Sequence, residues 1–230
     1  MKPKEIMLNT QPETIENLLI DEIGENHHFS SIETPLREDA FVLDDDEKIE
    51  QIEAHFEKIM KILGLDLTDD SLRGTPRRVA KMYVKEIFSG LNPKNAPAIT
   101  LSDNHYQYGE MLIEKNIQFF SNCEHHFVPI VGKAHIAYVS SGKVIGLSKL
   151  HRIVNYYARR PQVQERMTIQ IAEALKKALG TNDVAVLLDA DHHCVSSRGV
   201  GDITSSTITS SYSGIFKDNE KQSQFLKLIR

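Results

Sequence analysis

Both cysteines of this 230-residue chain lie inside short histidine clusters, and each cluster directly follows an apolar, strand-like run. The first cluster is Ser121-Asn122-Cys123-Glu124-His125-His126-Phe127; the second is Asp189-Ala190-Asp191-His192-His193-Cys194. A fold that unites them must bring two strand ends of one sheet side by side, although they lie about 70 residues apart. In a reducing cytosol two lone cysteines raise metal binding or catalysis ahead of a structural disulfide. A buried, inert thiol is the alternative for either one.

Zinc favours thiolate and imidazole ligands in tetrahedral geometry, and catalytic sites keep one position open for water. Two thiols and several imidazoles make a site of two cysteines and one histidine the natural count. Cys123 and His126 have the spacing of a chelating turn, with Cys194 as the third ligand. The remaining histidines of the clusters then lie close enough to move protons, work suited to an imidazole that titrates near neutrality. The competing reading is a closed, structural zinc held by Cys123, Cys194 and two histidines.

A second constellation is cationic. Gly146-Leu147-Ser148-Lys149-Leu150-His151-Arg152 opens a helix, where free backbone N–H groups and the helix dipole favour an anion. Ser148, read as the helix cap, offers a hydroxyl, and Lys149 and Arg152 share a helical face. Arg198, four residues past Cys194, brings a forked guanidinium to the same anion. An ordinary solvated helix start is the other reading. Gln164-Glu165 follow Pro161 at the start of the next helix. The carboxylate there either complements the helix dipole or accepts hydrogen bonds from the N–H edge of a guanine.

The rest of the chain supplies the frame. Ile49, Ile52, Phe56, Ile59 and Leu63 recur at helical spacing and stop at Gly64. A second helix is expected with Thr75 as N-cap and Pro76 in its first turn, continuing through Val79, Met82, Tyr83 and Ile87 to Gly90. Strands are expected near 108–121, 131–139, 183–190 and 202–212. Two helices fill the interval between the second and third strands, the first running to about Arg160 and the other from Pro161 to Gly180. A short helix is expected around 218–229. Strand runs separated by helix runs predict an α+β domain, with an antiparallel four-stranded sheet and helices on one face. The last strand is rich in Ser and Thr, so one of its faces is expected to meet another subunit or a polar cavity.

Residues 1–50 carry 14 acidic and 4 basic residues, which leaves 18 acidic and 23 basic in 51–230. The acidic excess belongs to a polar arm over 1–45, where Ile15, Leu18, Leu19 and Ile23 suggest a short helix and His27 and His28 read as solvated. The mildly basic body, 46–230, suits an anionic small molecule and is too weakly charged for nucleic acid. No run approaches the roughly 20 apolar residues of a membrane span, and the N-terminus lacks a secretory or transit pattern. A cytoplasmic protein is expected.

At CEHHF, GLSKLHRIVNYYARRPQVQER and HHCVSSRGVGD the chain resembles the GTP cyclohydrolase I family. TPRRVAKMYVKEIFSG and TSSYSGIF extend the likeness over roughly 46–230, a helical segment at 46–105 followed by a T-fold at 106–230. The resemblance implies conversion of GTP and water to 7,8-dihydroneopterin triphosphate and formate, the entry to pterin and folate biosynthesis. It implies Zn2+ on Cys123, His126 and Cys194, with His125 and His192 as acid–base groups. Ser148, Lys149, Arg152 and Arg198 are implied at the triphosphate, Glu165 at the guanine, and Gln164 as a further substrate-binding residue. Arg78 and Lys81 match a basic segment that adds phosphate contacts; His193 receives no role. The family fold joins sheets of neighbouring subunits into a barrel, usually of ten subunits, with active sites at their boundaries. Other T-fold enzymes, a nitrile reductase or a three-histidine pterin synthase, fit the two cysteines less well. A binding module with structural zinc would normally have lost one of the acid–base histidines.

Overall fold

The computed structural model describes residues 31–230, of which Ile32–Arg230 form one compact unit. The helix expected over Ile15–Ile23, together with His27 and His28, lies outside the described residues. Helix α1 spans Asp45–Ile62. Its start is written locally: the Asp44 side chain accepts from the backbone of Asp46 and Glu47, and the Glu47 carboxylate accepts from Asp44 N–H, a reciprocal capping box. Helix α2 (Thr75–Met82) begins one residue earlier than expected, with Gly74 at the cap position and Thr75 inside. It does not run to Gly90. The chain widens into a π-helical turn over Tyr83–Ile87 and then tightens into a 3₁₀ turn at Ser89–Leu91.

Strands β1 (Leu101–Asp103), β2 (Leu112–Cys123), β3 (Pro129–Tyr138) and β4 (Lys143–Ile145) follow, then helix α3 (Leu147–Ala158). Next come β5 (Pro161–Gln162), α4 (Gln164–Leu179), β6 (Val184–His192), the single-turn α5 (His193–Ser196), β7 (Thr207–Tyr212) and α6 (Asn219–Ile229). Among the described residues the main sheet has five strands, not four, in the order β5-β2-β3-β6-β7; β1 and β4 form a separate antiparallel pair. The extra strand is the two-residue β5, parallel to β2 through Asn122↔Pro161 and Cys123↔Gln162. Pro161 is therefore an edge-strand residue, a position that needs no N–H, and the helix expected to start there begins at Gln164. Ser148 likewise lies inside α3, whose cap position is Gly146. The last strand starts at Thr207 rather than 202, because Asp202 accepts from the backbone and hydroxyl of Thr204 in a local turn. The end of α4 is as expected: Gly180 takes the left-handed conformation at φ 65°.

The core follows from strand alternation. Ile130, Ala134, Ile136 and Tyr138 of β3, and Val184, Val186, Leu188 and Ala190 of β6, pack with α3 (Leu150, Ile153, Val154) and α4 (Met167, Ile171, Leu175). The intervening residues Ala137, Ala185 and Leu187 point the other way and meet Phe216 and Phe225. Helices thus cover both faces, α3 and α4 on one and α6 on part of the other, which corrects the one-sided arrangement expected. The helix-face residues of β2, Ile117, Phe119 and Cys123, belong to the larger core. Cys123 consequently enters the site from the packed side of the sheet.

Candidate active site

Register decides what meets at the sheet end. Ser121 pairs with Ile130, Ile130 pairs with His192, and Ala190 pairs with Thr207. The end of β2, the start of β3 and the end of β6 are therefore level, and the two cysteine–histidine clusters come together across β3. Cys123 is buried and Cys194 half-buried, both as free thiols, and Cys123 is near enough to influence the Cys194 thiol. Burial pushes the Cys194 thiol above its ordinary range, the adjacent Cys123 sulfur pushes it further, and Arg198 partly opposes both.

The loop after Cys123 closes on itself. Phe127 N–H donates to Cys123 O at 2.9 Å, Cys123 N–H to Val128 O at 2.8 Å, and Asn122 Nδ2 to Phe127 O at 3.0 Å. Glu124 N–H donates to Gln162 O at 3.0 Å, tying the loop to β5. This turn presents two imidazoles. His125 Nδ1 lies 3.5 Å from Cys123 Sγ, and its Nε2 lies 4.0 Å from Glu124 Oε1. His126 Nε2 lies 3.1 Å from Arg198 Nη1. Arginine has no acceptor, so this Nε2 is the accepting nitrogen. Among the described residues no three His, Cys, Asp or Glu side chains converge closely enough to hold a metal ion. The two thiols lie near each other, whereas the His126 lone pair is turned to Arg198.

His192, the last residue of β6, is half-buried, and its Nε2 is 2.7 Å from Gln164 Oε1. Burial lowers its pKa below the usual imidazole value, against the opposing pull of Glu165 and Asp191. Glu165 is exposed in the first turn of α4. Gln164, expected to bind substrate, is buried at the head of α4.

The cationic residues divide. Arg198 joins the thiol end of the sheet through His126. Ser148 and Lys149 stand at the start of α3, where the next residue but one, His151, contacts Glu114 at 3.0 Å. Glu114 is nine residues up β2 from Cys123, a strand distance of roughly 30 Å. Arg152 opens into a cleft of about 380 Å³ that it lines with Ser89, Asn95, Asn155 and Arg159. Lys81 is exposed on α2, and the neighbouring Arg78 is occupied by Ser71 O and Thr75 Oγ1.

Two features escaped the sequence reading. Arg166, 6% exposed, grips Glu124 with two hydrogen bonds of 2.6 and 3.1 Å. Phe127 adopts φ 55°, a left-handed conformation rare for an aromatic residue. The only sequence signal for the first was an acidic residue wedged between Cys123 and His125; for the second there was none.

An α+β domain that brings two thiols, three imidazoles and a guanidinium to one sheet end has the make-up of an acid–base enzyme. The sequence model of GTP cyclohydrolase I matches residues 52–230. The chain is 60% identical to GTP cyclohydrolase 1 of Flavobacterium johnsoniae over 211 residues, 92% of this chain and 95% of that protein. It is 53% identical to GTP cyclohydrolase 1 of Yersinia pseudotuberculosis and 51% to that of Citrobacter koseri, each over 86% of this chain and 90% of the relative. The chain belongs to the GTP cyclohydrolase I family. No helix among the described residues is long and apolar enough to cross a membrane.

Proposed function

We propose that this enzyme hydrolyses GTP to 7,8-dihydroneopterin triphosphate and formate, in a zinc-dependent site completed by a neighbouring copy of the chain. The observation that carries the reading is the meeting of Cys123 and Cys194, from two distant strand ends, beside three histidines.

The donor set suits zinc. The two thiols lie near each other, and the His126 Nε2 faces a donor and so presents a lone pair, the form a metal requires. Cys123, His126 and Cys194 would hold the ion. When bound, zinc supplies Lewis acidity toward water near neutral pH. The chain's own groups do the remaining work. His192 exchanges a proton with the imidazole portion of the purine, which makes carbon 8 electrophilic. His125 serves proton transfers in the later ring-opening and ring-closing steps. Glu165, exposed at the head of α4, accepts from the guanine N–H edge.

The triphosphate demands a second copy. Arg198 sits at the thiol end, whereas Ser148 and Lys149 lie roughly 30 Å of strand away. One nucleotide cannot reach both within a single chain. Ser148, Lys149 and Arg152 of one copy therefore face the thiol site of another, with Lys81 as an outlying contact. Sheets joined edge to edge in a T-fold barrel, a decamer in this family's usual form, supply such a neighbour, and the Ser/Thr-rich β7 at the sheet edge suits the joint.

Purified protein incubated with GTP is expected to release formate and to yield neopterin fluorescence after oxidation; no formate would overturn the reaction. Lys149→Ala and Cys194→Ala, each inactive alone, are expected to regain about a quarter of parental activity when co-expressed, because random mixing gives that share of sites two intact halves. Absence of rescue in a mixed oligomer would place all the residues within one chain and sink the shared site.

A further inference from the structure

Gln164 is the first residue of α4 and is 1% exposed, so the polar atoms of its amide must find partners inside the protein. Its Nε2 donates to two carbonyl oxygens, Leu188 O at 3.2 Å and Thr207 O at 2.8 Å. A primary amide has two N–H groups, and both are consumed there. The amide end that faces His192 is the oxygen, and Oε1 lies 2.7 Å from His192 Nε2. Turning the amide over would set an oxygen against two carbonyl oxygens, so the network admits one orientation. The oxygen can only accept, and His192 Nε2 must therefore carry a hydrogen.

In a neutral imidazole one nitrogen bears the hydrogen and the other the lone pair. With Nε2 committed, the lone pair of the neutral ring stands on Nδ1. We infer that Gln164 is a positioning residue that locks the orientation of the His192 ring and its Nε2–H tautomer. This rests on His192 as an acid–base group in the proposed hydrolysis of GTP, and it gives Gln164 a role other than the substrate contact expected from the sequence.

The surroundings make the clamp rigid. Its two carbonyl anchors come from different strands, Leu188 in β6 and Thr207 at the start of β7. Thr168 Oγ1 donates to Gln164 O at 2.8 Å and lies 2.7 Å from Thr209 Oγ1, which fastens the first turn of α4 to β7. Gln164 would have to give up its hydrogen bonds to Leu188 O and Thr207 O to swing toward a substrate. The tautomer of His192 is thereby fixed by the joint between helix and sheet rather than by the bound nucleotide.

The test is ¹⁵N NMR of the full-length chain labelled at histidine, at alkaline pH where the imidazoles are neutral, with His192 assigned by its loss in His192→Asn. A pyrrole-type Nε2 and a pyridine-type Nδ1 are expected in the parent protein; the reverse pattern overturns the inference regardless of any variant. In Gln164→Met, which keeps the length and removes the acceptor, both tautomers should appear. Its kcat for formate release should fall about tenfold to a hundredfold, part of what general acid–base catalysis supplies, with little change in KM. A raised KM with kcat preserved would make Gln164 a substrate contact and refute the positioning role. If the parent releases no formate from GTP, the proposed reaction fails while the resonance pattern still decides the clamp.

Discussion

Arg166→Met removes both hydrogen bonds that the guanidinium makes to Glu124, at 2.6 and 3.1 Å, while retaining much of the apolar stem. The side chains of Arg166 and Glu124 are 4% and 20% exposed. Breaking a buried ion pair by deleting one partner costs about 3–5 kcal/mol, chiefly because a charge is left behind without compensation. The partial exposure of Glu124 lets water reach the stranded carboxylate, so the loss should fall at the lower end, about 3 kcal/mol. For a chain of this size that lowers Tm by roughly 6–12 °C. The consequence extends to chemistry, because Glu124 lies between Cys123 and His125 in the site loop and its backbone is tied to Gln162 O. Urea unfolding of the parent, Arg166→Met, Glu124→Leu and the double variant measures the coupling directly. The double variant should be more stable than Arg166→Met alone by about 1–2 kcal/mol, since its stranded carboxylate is gone. Additivity of the two single changes within about 0.5 kcal/mol would refute the coupling.

Three further outcomes are expected. Gly90→Ala should destabilise by about 1–3 kcal/mol, because the added methyl would collide with the backbone oxygen of Tyr156; an unchanged urea midpoint would show that the turn yields freely. Phe225→Ala should cost about 3–5 kcal/mol, since Phe225 is fully buried between α6 and the sheet; a loss below about 1 kcal/mol would mean that α6 is not part of the folded core. Burial lowers the pKa of His135 on β3, with Asp189 opposing and Lys133 and Lys115 assisting, so the folded state keeps this imidazole neutral where the unfolded chain protonates it. Stability should therefore decline as pH falls below about 6.5, and His135→Gln should lessen that decline; identical slopes of unfolding free energy between pH 7.5 and 5.5 would refute it.

The residues visible to sequence reasoning were those whose signal is local. The apolar period of α1 and the helix stops at Gly64 and Gly180, both left-handed, each depend on neighbours within a turn or two, and all appear in the fold. The pairing of the Cys123 and Cys194 clusters was legible because both follow apolar strands of one domain. Pro161 misled because proline suits a helix start and an edge strand equally well, and only β2 alongside decides between them. Coverage of the second sheet face was hidden in the small residues Ala137 and Ala185, whose partners Phe216 and Phe225 come much later in the chain. Gln164 carries no sign in sequence that its amide is spent on Leu188, Thr207 and His192.

The helical segment before the sheet has a direct stake in the site. Phe127 closes the loop that carries His125 and His126, and its left-handed backbone at φ 55° costs about 1–3 kcal/mol for a residue other than glycine. Its ring meets Phe88 at 4.9 Å and Tyr83 at 6.5 Å between centroids, both edge-on. Two such contacts contribute about 0.5–1.5 kcal/mol each beyond area burial, which matches the backbone strain. Tyr83 and Phe88 bracket the π-helical turn, where the wider winding alters the phase between one ring and the other relative to an α-helix. A regular helix through Tyr83–Ile87 would shift Phe88 against Phe127 and weaken the contact that offsets the strain. The π-turn and the strained phenylalanine are therefore one device, through which the helices hold the histidine loop against the end of the sheet.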